Sequence, residues 1–504
     1  MKKIETKDRD LKDIGDVEDI KFIGNTDSQN SSCKKSRWIW RAALALGCLL
    51  SSQVAHADVR LPAIISTHMM VQANSNPRIW GWASPGEKIV IKYSNKTLKT
   101  VADAKGEWHV FLGKIKAGTK FDLDIVGTNS LSVKDVLAGE VWVCSGQSNM
   151  EFKLGKAKNG SSELESHSWP PIRFFTVKQT SSVTPMNDVS GSWTVYSPQA
   201  AKDWSAVGYF FAKELSLELG RPVGMIESLR GGTAAQVWVS QSALNNEDTV
   251  RSVLSPATAS TSSFDAPSGL FNGMISGITP YTVSGITWYQ GESNIKQPDL
   301  YKKLFPALIQ DWRKYWENPE LPFIFVQLPN FAADNPTGTE CAELREAQTL
   351  ALELKNTAMV VSIDVGEAKN EHPIDKQPIG HRLALNALDL VYHKKLPCSG
   401  PTLRTMKPLP GAILCQFVNT EQGMRARNGA PLSGFQICGA DGRYVPVVGV
   451  IKGNTITLSS PQVASPIAIR YAWANDPDAN LENGIGLPAA PFRTDYQPLN
   501  RTKN

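Results

Sequence analysis

The sequence has no apolar run long enough to cross a bilayer. Its longest, Ala42 to Leu50, is about half of the ~20 residues a spanning helix needs, so no membrane span is expected. Charge of one sign is also missing: 53 Lys and Arg face 48 Asp and Glu, a net charge of +5 over 504 residues. With no basic stripe along the chain, there is no electrostatic case for nucleic acid as a partner. None of the seven Cys and seven His falls at zinc-ligand spacing, so no metal and no other cofactor is expected. The segment after residue 57 shows no internal repeat and no long low-complexity tract. Trp is plentiful, at 14 residues. Trp stacks on sugar rings, but packing inside β-rich regions accounts for most such residues.

The N-terminal segment carries its own signals. Residues 1 to about 33 are polar and mixed in charge. Lys34-Lys35-Ser36-Arg37 and Arg41 then precede the apolar run, which ends at Ala55-His56-Ala57. A basic stretch, a short apolar stretch and a small-x-small site make an export signal, cleaved before Asp58. This predicts a periplasmic or secreted protein. Ala45-Leu46-Gly47-Cys48 resembles a lipoprotein box only weakly, and its apolar stretch is short. Five Cys follow the signal: Cys144, Cys341, Cys398, Cys415 and Cys438. An odd number leaves at least one unpaired; Cys415 and Cys438, both in strand-like runs, are the candidate pair.

Patterning divides the rest into three. From residue 58 to 139 it is β: Lys88 to Tyr93 alternates with Ile89, Ile91 and Tyr93 on one face, and Pro85-Gly86 and Asp103 to Gly106 supply turns. Short strands at this spacing predict an N-terminal β-sandwich. From 140 to 396 strand and helix alternate. Val141 to Cys144, Pro222 to Ile226, Gly285 to Tyr289, Phe323 to Leu328 and Met359 to Ile363 read as strands; Ala206 to Leu219, Leu344 to Leu354 and Ile379 to Val391 read as helices. Alternation of this kind predicts an α/β domain whose parallel sheet has helices on both faces and binds its ligand beyond the strands' carboxyl ends. From 397 to 504 the pattern returns to β.

Ser148 follows the strand Val141 to Cys144 directly, in a turn, which puts a hydroxyl at the carboxyl edge of the sheet. It is not in a Gly-x-Ser-x-Gly elbow. Such a serine needs a base. His56 lies in the leader, His68 and His109 in the first β region, His167 in a polar segment, and His381 and His393 on the last helix. His372 remains, in the loop before that helix, with Pro373 holding it extended. Oxyanion donors are expected from Gly231 or Gly232, after one strand, and from the side chain of Gln290, after another. Glu292 could order that second loop.

The string Gly139-Glu140-Val141-Trp142-Val143-Cys144-Ser145-Gly146-Gln147-Ser148-Asn149-Met150-Glu151 resembles the first block of the sialate O-acetylesterase family, a branch of the SGNH hydrolases. The resemblance continues at Gly231-Gly232-Thr233, at Trp288 to Asn294, at Leu344 to Gln348, and at His372-Pro373 with Lys376, Gly380, Arg382 and Leu383. Trp80 to Glu87 and Gly486 to Asp495 extend it to both ends of the segment after the signal. It implies an SGNH-type, flavodoxin-like three-layer α/β/α domain flanked by β-sandwich domains. It also implies hydrolysis of O-acetyl esters, typically of sialic acid, with Ser148 as nucleophile and His372 as general base. SGNH enzymes commonly carry an Asp two or three residues before that His; here those positions are Asn370 and Lys369. Asn370 can orient but brings no charge. Glu371 adjoins the histidine, but neighbouring side chains in an extended loop point apart. Asp364, which closes the preceding strand, is therefore the acid expected to reach back as a third member. The expected partner is acetylated sialic acid. The alternatives are another O-acetylated glycan, such as acetylxylan, and a non-catalytic glycan-binding protein on an esterase scaffold.

Overall fold

The computed structural model describes residues 58–166, 170–246, 263–332 and 335–495. The export signal expected within 1–57 and His167 lie outside them.

The N-terminal region is antiparallel and parallel β structure: β1 (Met70–Gln72), β2 (Arg78–Trp82), β3 (Lys88–Tyr93), β4 (Lys96–Val101), β5 (Glu107–Phe111), β6 (Lys120–Val126) and β7 (Ser130–Gly146). In β3, Ile89, Ile91 and Tyr93 are buried while Lys88 and Lys92 are exposed, as the alternation predicts. The segment read as a short strand at Val141 to Cys144 is instead the end of β7, 17 residues long. Its first part alternates between exposed and buried residues and pairs with β6; its second part is buried throughout. One strand thus passes from a one-faced sheet into a two-faced one, running through residues 139 and 140 without a break.

The second sheet has the order β13-β12-β11-β7-β10-β8-β9, with β8 at Ile172–Val177, β9 at Gly191–Val195, β10 at Val223–Leu229, β11 at Gly285–Tyr289, β12 at Phe323–Val326 and β13 at Thr357–Val360. All neighbours are parallel except the β8–β9 pair at one edge. Helices cover both faces. On one, Ala206–Leu219 and Gln377–Leu390 pack over Trp142, Cys144, Phe174, Met225 and Ile324. On the other, Pro298–Tyr315 packs over Val143, Ile226, Trp288 and Phe325. The Ala206–Leu219 helix starts where Ser205 accepts from the Gly208 N–H and stops at Gly220, whose φ of +61° lets the last turn close. The observed fold is therefore mixed α/β around a parallel sheet, with additional β sheets on either side in sequence.

Beyond the last helix, two four-stranded antiparallel sheets share one core. Ile413, Cys415, Ile456 and Leu458 come from one, and Phe435, Ile437, Ile469 and Tyr471 from the other. The candidate disulfide is not formed: Cys415 and Cys438 lie on strands of different sheets, and all five described Cys are free. Nine of the 11 Trp among the described residues are buried, which favours packing over sugar stacking as their main use.

Arg345, on helix Glu340–Leu350, joins these regions. It has no exposed surface, and its guanidinium donates to the carbonyls of Leu328, Pro329, Ala474 and Asn475 at 2.6–2.9 Å. Arg345→Met leaves the carbonyls of Leu328, Pro329 and Ala474 buried without donors, while Asn475 O keeps the Phe331 N–H. It should cost about 3–5 kcal/mol of stability, read from urea unfolding; a loss below about 1 kcal/mol would show that other donors replace it.

Candidate active site

Three strand ends define the site. Gly146 of β7 lies in register with Leu229 of β10 on one side and Tyr289 of β11 on the other. The segments that follow, 147–151, 230–233 and 290–294, therefore leave the sheet side by side. Gly146 has φ +137°, and a Cβ there would sit 2.1 Å from the Tyr289 carbonyl oxygen. Only glycine fits. The Gln147 N–H donates to that carbonyl at 3.0 Å, and the Arg230 N–H donates to the Gly146 carbonyl at 3.1 Å.

The chain then turns into the short helix Ser148–Glu151. Ser148 Oγ lies 2.7 Å from His372 Nε2, with both residues half-buried. A neutral imidazole with its proton on Nδ1 accepts the serine hydroxyl in this geometry, which is the arrangement a general base requires. His372 reaches Ser148 from the loop between β13 and helix Gln377–Leu390, crossing back over the ends of β12 and β11.

The two candidates for a third member, Asp364 and Asn370, and the loop-ordering candidate Glu292 do other things. Both carboxylate oxygens of Asp364 accept from Arg382, at 2.7 and 2.6 Å, so Asp364 is held against the last helix and not against His372. Asn370 acts on the backbone: its Oδ1 accepts from the His372 N–H at 3.0 Å and its Nδ2 donates to Glu367 at 3.0 Å. Glu367 also accepts from the Ile374 N–H at 2.9 Å. Glu292 accepts from Asn149 Nδ2 at 2.6 Å through Oε1, while its Oε2 is buried without a partner among the described residues. Burial raises the Glu292 pKa. Among the described residues no side chain bonds His372 Nδ1.

The expected oxyanion donors divide similarly. The Gly231 N–H donates to Glu151 Oε2 at 2.6 Å, and Gln290 Nε2 donates to Thr233 O and Asn294 Oδ1 at 3.2 and 2.8 Å. Gln290 is wholly buried and also accepts from the Tyr301 hydroxyl at 3.0 Å. Neither leaves an N–H for a bound oxyanion in this arrangement, because each is already engaged by the protein. The N–H groups of Gly232 and Ser148 make no hydrogen bond among the described residues. Gly232 is exposed, at φ +71°.

Several neighbours were not assigned roles from sequence. Gln179 Nε2 donates to Glu151 Oε1 at 2.9 Å, and its Oε1 accepts from Arg230, so a chain of polar contacts backs the Gly231 turn. Asn149 and Glu151 were visible in the same string as Ser148, and Lys376 just after His372; Gln179, two residues past the end of β8, carried no signal. Lys376 is 1% exposed and donates to Asn149 Oδ1 at 2.5 Å, above the rings of Phe152 and Tyr289. Burial pulls its pKa down to about 7, against the opposing pull of Glu292 and Glu367. Among the described residues no three His, Cys, Asp or Glu side chains come together as a metal cluster.

The Lys376 shift makes stability depend on pH. Below pH 7 the lysine is charged in both the folded and the unfolded chain, and its burial destabilises in full. As pH rises above about 7 the folded protein releases the proton, while the unfolded chain holds it until near 10.5. Stability from this group therefore rises across that window. Between pH 6 and pH 9, wild type should gain about 2–3 kcal/mol relative to Lys376→Met in urea unfolding. A constant difference would mean that Lys376 keeps its ordinary pKa.

With this geometry in place, the chain can be set beside known proteins. Residues 138–388 match the model of the family described as carbohydrate esterase, sialic acid-specific acetylesterase. A sialate O-acetylesterase of Mus musculus is 28% identical, over 88% of this chain and 95% of that protein. One of Homo sapiens is also 28% identical, over 89% and 96%. The crystal structure of a carbohydrate acetylesterase from Xanthomonas citri superposes with a TM-score of 0.81 at 35% identity, covering 87% of this chain and all of that one. The chain belongs to the sialic acid-specific acetylesterase family of carbohydrate esterases.

Proposed function

We propose that this chain is a serine esterase that removes O-acetyl groups from glycans, with sialic acid as the favoured sugar. The observation that carries the reading is the 2.7 Å contact between Ser148 Oγ and His372 Nε2 at the carboxyl edge of the parallel sheet. Ser148 Oγ attacks the acetyl carbonyl while His372 Nε2 takes its proton. The tetrahedral oxyanion is met by the open N–H groups of Ser148 and Gly232. Collapse expels the sugar oxygen, which recovers the proton from His372 and leaves an acetyl group on Ser148. Water, deprotonated by the same imidazole, then releases acetate.

Two sheet faces covered by helices, with a nucleophile at the central strand's end, support reading the α/β part as an SGNH-type three-layer domain. The β sheets at 70–137 and 402–493 are then its β-sandwich flanks, which keeps the divisions at 58, 140 and 397. The basic and apolar stretches of 34–57 support export to the periplasm or medium.

Sialic acid is favoured because the curated relatives at 28% identity are named for it over nearly their whole length. A second reading, another acetylated glycan, is favoured by the relative at 35% identity, whose description names only a carbohydrate. Acetate release across a panel including 9-O-acetyl sialic acid and acetylxylan separates them. The proposal expects the higher kcat/KM on the sialic acid. Ser148→Ala should lower acetate release by at least about 10³-fold on every substrate, without a change in melting temperature. Undiminished release by that variant would remove Ser148 from the mechanism.

A further inference from the structure

A triad carboxylate holds its imidazole in one orientation through Nδ1. No described side chain does so for His372, yet its ring is aimed at Ser148. The orientation must come through the backbone of the loop that carries it. One side chain grips that loop on both sides of the histidine. Asn149, next to the nucleophile and without exposed surface, donates from Nδ2 to the Glu371 carbonyl at 2.9 Å and accepts at Oδ1 from Lys376 at 2.5 Å. Glu371 immediately precedes His372, and Lys376 closes the loop where helix Gln377–Leu390 begins.

The amide can sit only one way. Nδ2 faces two acceptors, Glu371 O and Glu292 Oε1, while Oδ1 faces an ammonium; turning it over would set like against like at three contacts. Glu292 comes from the loop after β11, so three strand-end segments meet on one side chain. The setting is an unfavourable place for a lysine. It is buried, and it stands at the positive end of a helix. A buried Lys–Asn–Glu relay stabilises a structure less well than apolar packing of the same volume would, and its specific contribution is geometric.

We propose that Asn149 is the positioning residue of the Ser148–His372 pair, fixing through the loop backbone what a carboxylate on Nδ1 would fix through the ring, with Lys376 and Glu292 locking its amide. The inference rests on the Ser148–His372 reading given above.

The test is a mutant cycle on the full-length enzyme with p-nitrophenyl acetate. Asn149→Leu should lower kcat about 100-fold with KM within about twofold, since it disturbs alignment and not substrate contacts. In a His372→Ala background the same substitution should change the residual rate by less than about twofold, because it has nothing left to position. Lys376→Met should lower kcat about tenfold at unchanged KM, with a melting temperature at pH 6.5 no lower than wild type. A loss from Asn149→Leu that persists undiminished in the His372→Ala background would overturn the proposal, as would a KM rising in step with the fall in kcat. If Asn149→Leu does not fold, Lys376→Met decides, and wild-type kcat in that variant overturns the role. A His372→Ala enzyme with wild-type kcat would overturn the dyad and the positioning role together. An inactive His372→Ala beside a fully active Asn149→Leu overturns the positioning role alone.

Discussion

At Gly146 the backbone of β7 comes so close to the carbonyl of Tyr289 that no side chain fits between them. The rest of the site follows from that approach. Because β7, β10 and β11 end in register, the turns after them emerge as one cluster, and the serine two residues beyond Gly146 stands at its centre. The length of β7 matters for the same reason. Its first half is anchored by β6 in the N-terminal sheet and its second half is buried on both faces, so its end is held by two packed regions. A nucleophile has to be rigidly placed for proximity to count, and a strand buried on both faces gives that rigidity.

The histidine side is built differently. Its loop is long, crosses two strand ends, and carries no acid at the usual spacing. Hydrogen bonds from Asn370, Glu367 and Asn149 supply order where a single carboxylate would otherwise act. All of them address the backbone or one another, and none touches the ring. Such an arrangement fixes direction but contributes less to stabilising an imidazolium than a charge on Nδ1 would. Two ionisable groups stand behind it, Lys376 and Glu292, and burial shifts both toward their neutral forms. The Ser148–His372 pair is thus backed by buried polar groups, where each hydrogen bond is stronger and an unpaired atom such as Glu292 Oε2 costs more.

Much of this was legible in the sequence, for identifiable reasons. The helix Ala206–Leu219 has a cap, an apolar stripe and a terminal glycine, and it was found at its true ends. Ser148 and His372 were legible because they sit in ordered strings. The longest helix among the described residues, Pro298–Tyr315, was not recognised: Pro306 inside it argues locally against a helix, although Leu300, Leu304, Leu308 and Trp312 repeat along one face. The edge strand β9 and its neighbour β8 were missed as well. The errors at the site share one cause. Gly231, Gln290, Asp364 and Asn370 have the right chemistry, but which partner engages a polar group depends on what folding brings beside it. Glu151, Arg382 and Asn294 lie 80, 18 and 4 residues from the groups they engage, and no spacing rule announces such pairs.

The central claim is that Ser148 is made nucleophilic by His372. Reaction with a fluorophosphonate followed by peptide mass spectrometry tests it most directly, because the probe reports the activated hydroxyl itself. The account predicts a single adduct on Ser148 in the wild-type protein and labelling at least about 100-fold slower in His372→Ala. An adduct on another serine, or labelling of Ser148 at an equal rate without His372, would contradict it.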